Sequence, residues 1–143
     1  MMTKQQSAMR KSGIFLIGIG IAFAISALPM LHPAARIFLQ IAYWPVHSVP
    51  SELVVPVPLL LAITGGLTAG FGAMVWALGT YVAPVAPVAA AKVTQVTAWT
   101  WFSTDSTASI LAGAPFNVVL NLSFLLLMLL ASRANNEEEP LTA

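Results

Sequence analysis

The sequence predicts an all-α membrane protein: four transmembrane helices in one bundle, with a short amphipathic helix lying on its outer surface. Three observations predict it. The 143-residue chain is 58% hydrophobic and 8% charged, against roughly 25% charged residues in soluble domains. A soluble fold of this size leaves too much of its surface exposed to hide that much apolar side chain. The apolar residues fall into four runs, at about 13–31, 56–81, 93–112 and 116–132, and a crossing helix needs about 20 residues for roughly 30 Å of hydrocarbon. Finally, along a four-span path Lys4, Arg10, Lys11, Lys92 and Arg133 share one side and only Arg36 lies opposite, which is the positive-inside pattern. The expectation is one membrane domain over 1–143, multi-pass in a bacterial inner membrane, with both termini cytoplasmic.

The first run, "GIFLIGIGIAFAISALPML", follows a polar segment, "MMTKQQSAMRKS". A cleaved signal peptide is the competing reading, with a small-residue pattern at Ala22–Ala24. The apolar run continues past that site, which favours a retained span. Gly18, Ala22 and Ser26 give the span one small-residue face suited to close packing in lipid.

Residues 32–53 change character. Between Ala34 and Trp44, Ile37, Phe38, Ile41 and Trp44 repeat at helical spacing, while Arg36, Gln40 and Tyr43 fall mainly on another side. The segment, about 34–47, is too short to span. It reads as an interfacial helix anchored by Arg36, Tyr43 and Trp44 at headgroup level.

Pro56 and Pro58 open the second span, where the first helical turn tolerates proline. Within it, Gly66 and Gly70 form a GxxxG pair extended by Ala62, and Ala69, Ala73 and Ala77 form a second small face. Two such faces suggest neighbours on both sides. "YVAPVAPVAAAK", residues 81–92, reads as a connector. The third and fourth spans are joined by "GAP", a turn signal at 113–115, and the tail after Arg133 is polar.

The second half, "GGLTAGFGAMVWALG" followed by "WFSTDSTASILAGAPFNVVLN", resembles a family of small bacterial four-helix membrane proteins. Their second span has a GxxAGxG…W pattern and their third resembles WFxxDSxxSxxxGAxxNxxxN. The matching positions are Gly66, Ala69, Gly70, Gly72, Trp76, Trp101, Phe102, Asp105, Ser106, Ser109, Gly113, Asn117 and Asn121. The resemblance covers about residues 64–130. At Thr107-Ala108 the chain departs from it, where a glycine is expected before the second serine, and its absence weakens any close helix contact there. The resemblance implies the four-helix architecture and lends no activity.

Asp105 is the only acid between Glu52 and Glu137, and it stands inside an apolar run. Asp105 and Ser109 are four apart and share a helix face, as do Asn117 and Asn121. In an antiparallel hairpin turning at Gly113, equal distance from the turn means equal depth. The spacing therefore predicts two polar layers, Asp105 with Asn121 and Ser109 with Asn117, and puts Asp105 roughly 12 Å below the turn. An aspartate at a helix centre costs about 2.5–3.5 kcal/mol on insertion scales, and one interhelical hydrogen bond returns about 0.6–2 kcal/mol. The cheaper state is a neutral acid donating to Asn121. The carboxyl reads foremost as a polar clasp between helices, with proton or ligand binding as the sharper alternative.

Other chemistry is poorly supplied. The chain has no cysteine, so thiolate metal sites and cysteine nucleophiles are excluded. His32, His47 and Glu52 lack the fixed spacing of a metal motif, so no metal site is expected, and no histidine sits in a span to hold a haem or pigment. No cofactor is expected, and no basic block suggests nucleic acid. One carboxylate and two asparagines do not make an acid/base pair. The sequence therefore favours a non-catalytic accessory subunit whose partners are the bilayer and other membrane proteins or itself. The alternative is a small proton-linked or solute transporter acting as an oligomer through Asp105.

Overall fold

The computed structural model describes residues 2–28, 30, 32–45 and 57–133. Their regular structure is entirely helical. In chain order the elements are α1 (Lys4–Ile25), α2 (His32–Ala42), α3 (Val57–Ala77), a π-helical turn (Leu78–Val82), α4 (Pro87–Leu111) and α5 (Phe116–Ser132). His47, Glu52, Pro56 and Glu137–Glu139 lie outside the described residues, as does the end of the interfacial segment expected over 34–47.

Two helices, Lys4–Ile25 and Leu59–Val82, are long and apolar enough to cross a membrane. The other two expected spans fall short of that standard in different ways. The fourth, α5, is apolar but has 17 residues. The third, α4, has 25 residues but carries Lys92, Gln95, Asp105 and eight serines and threonines.

Two boundaries differ from expectation. The polar segment ahead of the first apolar run is helix, because Thr3 and Gln6 form a reciprocal capping box. Gln6 N donates to Thr3 Oγ1 at 3.2 Å and Thr3 N donates to Gln6 Oε1 at 3.0 Å, so two donors that a helix start leaves orphaned are satisfied. Likewise most of the 81–92 connector is helix, since Pro87 opens α4 at a first-turn position, where its fixed φ and missing N–H cost nothing. Only residues 83–86 link the π turn to α4.

The helices form two antiparallel pairs. In the α1–α3 pair, glycines seven apart on each helix face one another. A Cβ on Gly13 would lie 2.7 Å from Gly72 O, and one on Gly72 would lie 2.7 Å from Gly13 O. Gly20 and Gly65 repeat the relation, each 2.6 Å from the other's carbonyl oxygen, and Gly79 continues it against Met9. Without side chains between them the two backbones approach closely, which is how helices gain packing energy in lipid.

This contact corrects the faces expected from sequence. Gly66 and Gly70 meet nothing within 4 Å, and neither does Gly18. Ala62 and Ala73 are exposed, while Ala69 backs onto Gly20. The seam is therefore Gly13, Gly20 and Ala24 against Gly65, Ala69 and Gly72. Small residues ring α3 on most sides, so spacing along α3 alone does not select one. The matching seven-residue repeat on both helices does.

The α4–α5 pair turns through a Schellman motif. Ala114 N donates to Ser109 O at 2.8 Å and Gly113 N to Ile110 O at 3.0 Å, with Gly113 at φ 77, a left-handed conformation that glycine adopts without Cβ strain. The two pairs join through a core of Met9, Leu16, Val75, Ala83, Ala90, Ala98, Leu125, Met128 and Ala131. Apart from Leu16, just past the middle of α1, these lie in the half nearer Lys4, Lys92 and Arg133. At the other end α2 packs on the α4–α5 turn through Ala42, Tyr43 and Ala114, with Trp44 edge-on to Phe116 at 5.5 Å and Phe38 edge-on to Phe23 at 4.8 Å.

Candidate functional site

The polar side chains of α4 and α5 meet about one to two turns from Gly113. Asn117 Nδ2 donates to Ser109 Oγ at 2.9 Å and to Asp105 Oδ1 at 3.3 Å. Ser109 Oγ donates to the same Oδ1 at 3.1 Å. One turn deeper, Asn121 Nδ2 donates to Ser106 Oγ at 3.3 Å. Ser106, Ser109 and Asn121 are buried, whereas Asp105 and Asn117 are half-buried.

The expected Ser109–Asn117 layer is found. The expected Asp105–Asn121 layer is not: Asp105 pairs with Asn117, and Asn121 takes Ser106. The reason is the 3.6-residue turn. From Ser109 the inner face of α4 steps back three residues to Ser106, so Ser106 meets α5 squarely. Asp105, four residues back, sits at the edge of the contact and reaches toward Asn117. The expected bond from Asp105 to Asn121 is accordingly replaced by an Oδ1 that accepts from Ser109 and Asn117. Ser106 could have been found from its position three residues before Ser109.

Around this cluster, Trp101 is half-buried one turn from Asp105 and lies edge-on to Phe124 at 6.3 Å, with Phe124 stacked on Phe15 at 6.4 Å. Of the expected interface anchors, Arg36 and Trp44 are exposed, while Tyr43 is buried against Ala114 rather than projecting.

A second polar cluster, at the cation-bearing end, was not anticipated. Gln5 Nε2 donates to Pro87 O at 3.0 Å and to Ser132 O at 3.2 Å. Gln95 Nε2 donates to Ser132 Oγ at 3.3 Å. Gln5 is 4% exposed and Ser132 fully buried. One glutamine thus ties α1 to the first turn of α4 and the last carbonyls of α5, a group that a helix end leaves without a partner. The signal for it was the Thr3–Gln6 capping box, which makes the preceding polar segment helical.

Among the described residues no group of three or more His, Asp or Glu is placed to hold a metal ion. Within the polar cluster of α4 and α5 the one carboxyl group, that of Asp105, is hydrogen-bonded to the Ser109 hydroxyl. What it can do is clasp two helices and present acceptor oxygens. No family model, curated protein or solved structure matches the chain.

The clasp makes a prediction. Asp105→Asn keeps an acceptor at the Oδ1 position and should change thermal stability in detergent by less than about 0.5 kcal/mol, since no buried group loses its partner. Asp105→Leu should cost about 0.6–1.7 kcal/mol, the range measured for side-chain hydrogen bonds between membrane helices. A double mutant with Asn117→Leu should recover part of that loss, and one with Asn121→Leu should not. Recovery with Asn121→Leu alone would show that the partners are misassigned.

Proposed function

We propose that this chain is a non-catalytic, multi-pass protein of a bacterial inner membrane that serves as an accessory subunit, docking a helix of another membrane protein or of a second copy on the outward side of α3. The observation that carries the reading is the open face formed by Ala62, Gly66, Gly70 and Ala73. Ala62 and Ala73 are exposed and a Cβ on either glycine meets nothing within 4 Å, while the adjoining face of the same helix is filled by α1. Small residues four apart let a second backbone approach closely.

Lipid as the surrounding medium is supported by what the helices expose. Leu67 is 71% exposed and Leu111 83%, and only 22% of the apolar window of Leu59–Val82 is buried. That is the reverse of a core helix in a soluble protein, and contiguous apolar surface of this kind marks membrane or protein contact. The four-span topology with both termini cytoplasmic draws on Lys4, Arg10, Lys11, Lys92 and Arg133 gathering toward one end of the two helix pairs. The same proposal places the chain among small bacterial four-helix membrane proteins, on the pattern of its second half.

The test is Gly70→Leu, purified in mild detergent beside the unaltered chain. The expected result is a complex well above 15.1 kDa for the unaltered chain, reduced to the monomer in the variant, with thermal unfolding unchanged. A complex of unchanged size in the variant would show that this face meets only lipid.

A further inference from the structure

The hydrogen-bond inventory of the Asp105 cluster is one-sided. Asn117 Nδ2 donates to both Ser109 Oγ and Asp105 Oδ1. The single hydroxyl hydrogen of Ser109 is used on Oδ1 as well. With Asp105 as the carboxylate, Asn117 Nδ2 and the Ser109 hydroxyl both donate within the cluster. Acceptor capacity remains at Asp105 Oδ2, the Asn117 amide oxygen and the one lone pair left on Ser109 Oγ. A site with several acceptors left, one of them a carboxylate oxygen, is complementary to a cation that carries several hydrogens.

Position and surroundings narrow the ligand. Asp105 and Asn117 are half-buried, so the free oxygens are reachable. The neighbouring α4 positions Thr104, Thr107 and Ala108 are exposed and small, leaving room for a group of a few atoms. Trp101 stands one helical turn away on the same face, and an indole face attracts an organic cation. The main core joining the two helix pairs lies toward the opposite end. An acid at this depth is rarely left bare among membrane helices, where it pairs or marks a ligand path.

From this arrangement we infer that Asp105 and Asn117 form a binding site for a protonated primary amine, whose three N–H groups are taken by Asp105 Oδ2, the Asn117 amide oxygen and Ser109 Oγ. The ammonium comes either from a small free amine or from an ethanolamine lipid headgroup, and the experiment has an arm for each. This inference stands apart from the docking face on α3 and survives its failure.

The full-length chain is purified in detergent and its thermal unfolding followed at pH 7 with increasing ethylammonium chloride, against sodium chloride at equal ionic strength. A ligand at about ten times its dissociation constant raises the midpoint by about 3–6 °C in a chain of this size. The second arm compares nanodiscs of phosphatidylcholine with nanodiscs containing phosphatidylethanolamine. The expected result is a saturable rise in at least one arm that is absent in Asp105→Asn, which keeps the Oδ1 acceptor and loses the charge and the free oxygen. A rise with ethylammonium assigns a free amine, and a rise with the lipid alone assigns the headgroup. No saturable rise of the unaltered chain in either arm overturns the inference whatever the variant does. So does an equal rise in Asp105→Asn.

Discussion

Replacing Gly72 with leucine is expected to leave little folded protein. A Cβ at this position lies 2.6 Å from Ile17 N, 2.7 Å from Gly13 O and 2.8 Å from Leu16 Cβ. Two of those three atoms are backbone, so no rotamer change relieves the clash and the α1 and α3 axes must part. Overpacking a core that can adjust costs about 1–3 kcal/mol. Here the surroundings adjust least, so the cost falls at or above the top of that range, out of a total stability of about 5–15 kcal/mol. For a chain of this size that is a fall of about 6–12 °C or more in the unfolding midpoint. Gly66→Leu, six residues away on the open side, should unfold within a degree or two of the unaltered chain. Equal midpoints for the two variants in detergent would show that α1 and α3 do not meet through Gly13 and Gly72.

Gln5→Leu is expected to have the next largest effect. It deletes the donor held by Pro87 O and Ser132 O and leaves the Ser132 carbonyl buried at a helix end. An unsatisfied buried acceptor costs about 1–3 kcal/mol, or roughly 2–12 °C at this size. Gln5→Glu should be no better, because a carboxylate has no hydrogen to give and faces two carbonyl oxygens. Gln40→Leu, on the exposed side of α2, is the matched control and should be silent. A silent Gln5→Leu would mean that α1 does not close against α4 and α5 at this end.

Much of the fold was legible because the signals are local. The all-helical class follows from the apolar runs, α2 from Ile37, Phe38 and Ile41 at helical spacing, and the α4–α5 turn from Gly113 and Pro115. What was not legible depends on which side of a helix meets which neighbour. Gly66 and Gly70 match a packing pattern as well as Gly65 and Gly72 do, and only the presence of α1 separates them. The seam on α4 was half legible: counting from Gly113 pairs Ser109 with Asn117, but four residues overshoot a helical turn, so Asp105 drifts to the edge and Ser106 takes its place opposite Asn121. The start of α1 was hidden because Lys4, Gln5 and Gln6 look like a solvated tail until the Thr3 cap is recognised. Gln5 then becomes a buried donor whose acceptors stand 82 and 127 residues along the chain, a distance no local pattern spans.

The glycine seam between α1 and α3 also sets an order of events during synthesis. Gly13 meets Gly72, and Gly20 meets Gly65, so α1 cannot find its neighbour until α3 has left the ribosome. At roughly 5–20 residues per second, the interval of about 60 residues lasts about 3–12 s. Throughout it α1 shows a bare backbone groove to whatever lies beside it, and α2 must be laid aside before the groove can close. The nascent chain is most open to a wrong helix, or to an insertion factor that shields the groove, in those seconds. A stall placed just before residue 65 should hold that window open and increase crosslinking from Gly20→Cys to neighbouring proteins, and a stall after α3 has fully emerged should suppress it.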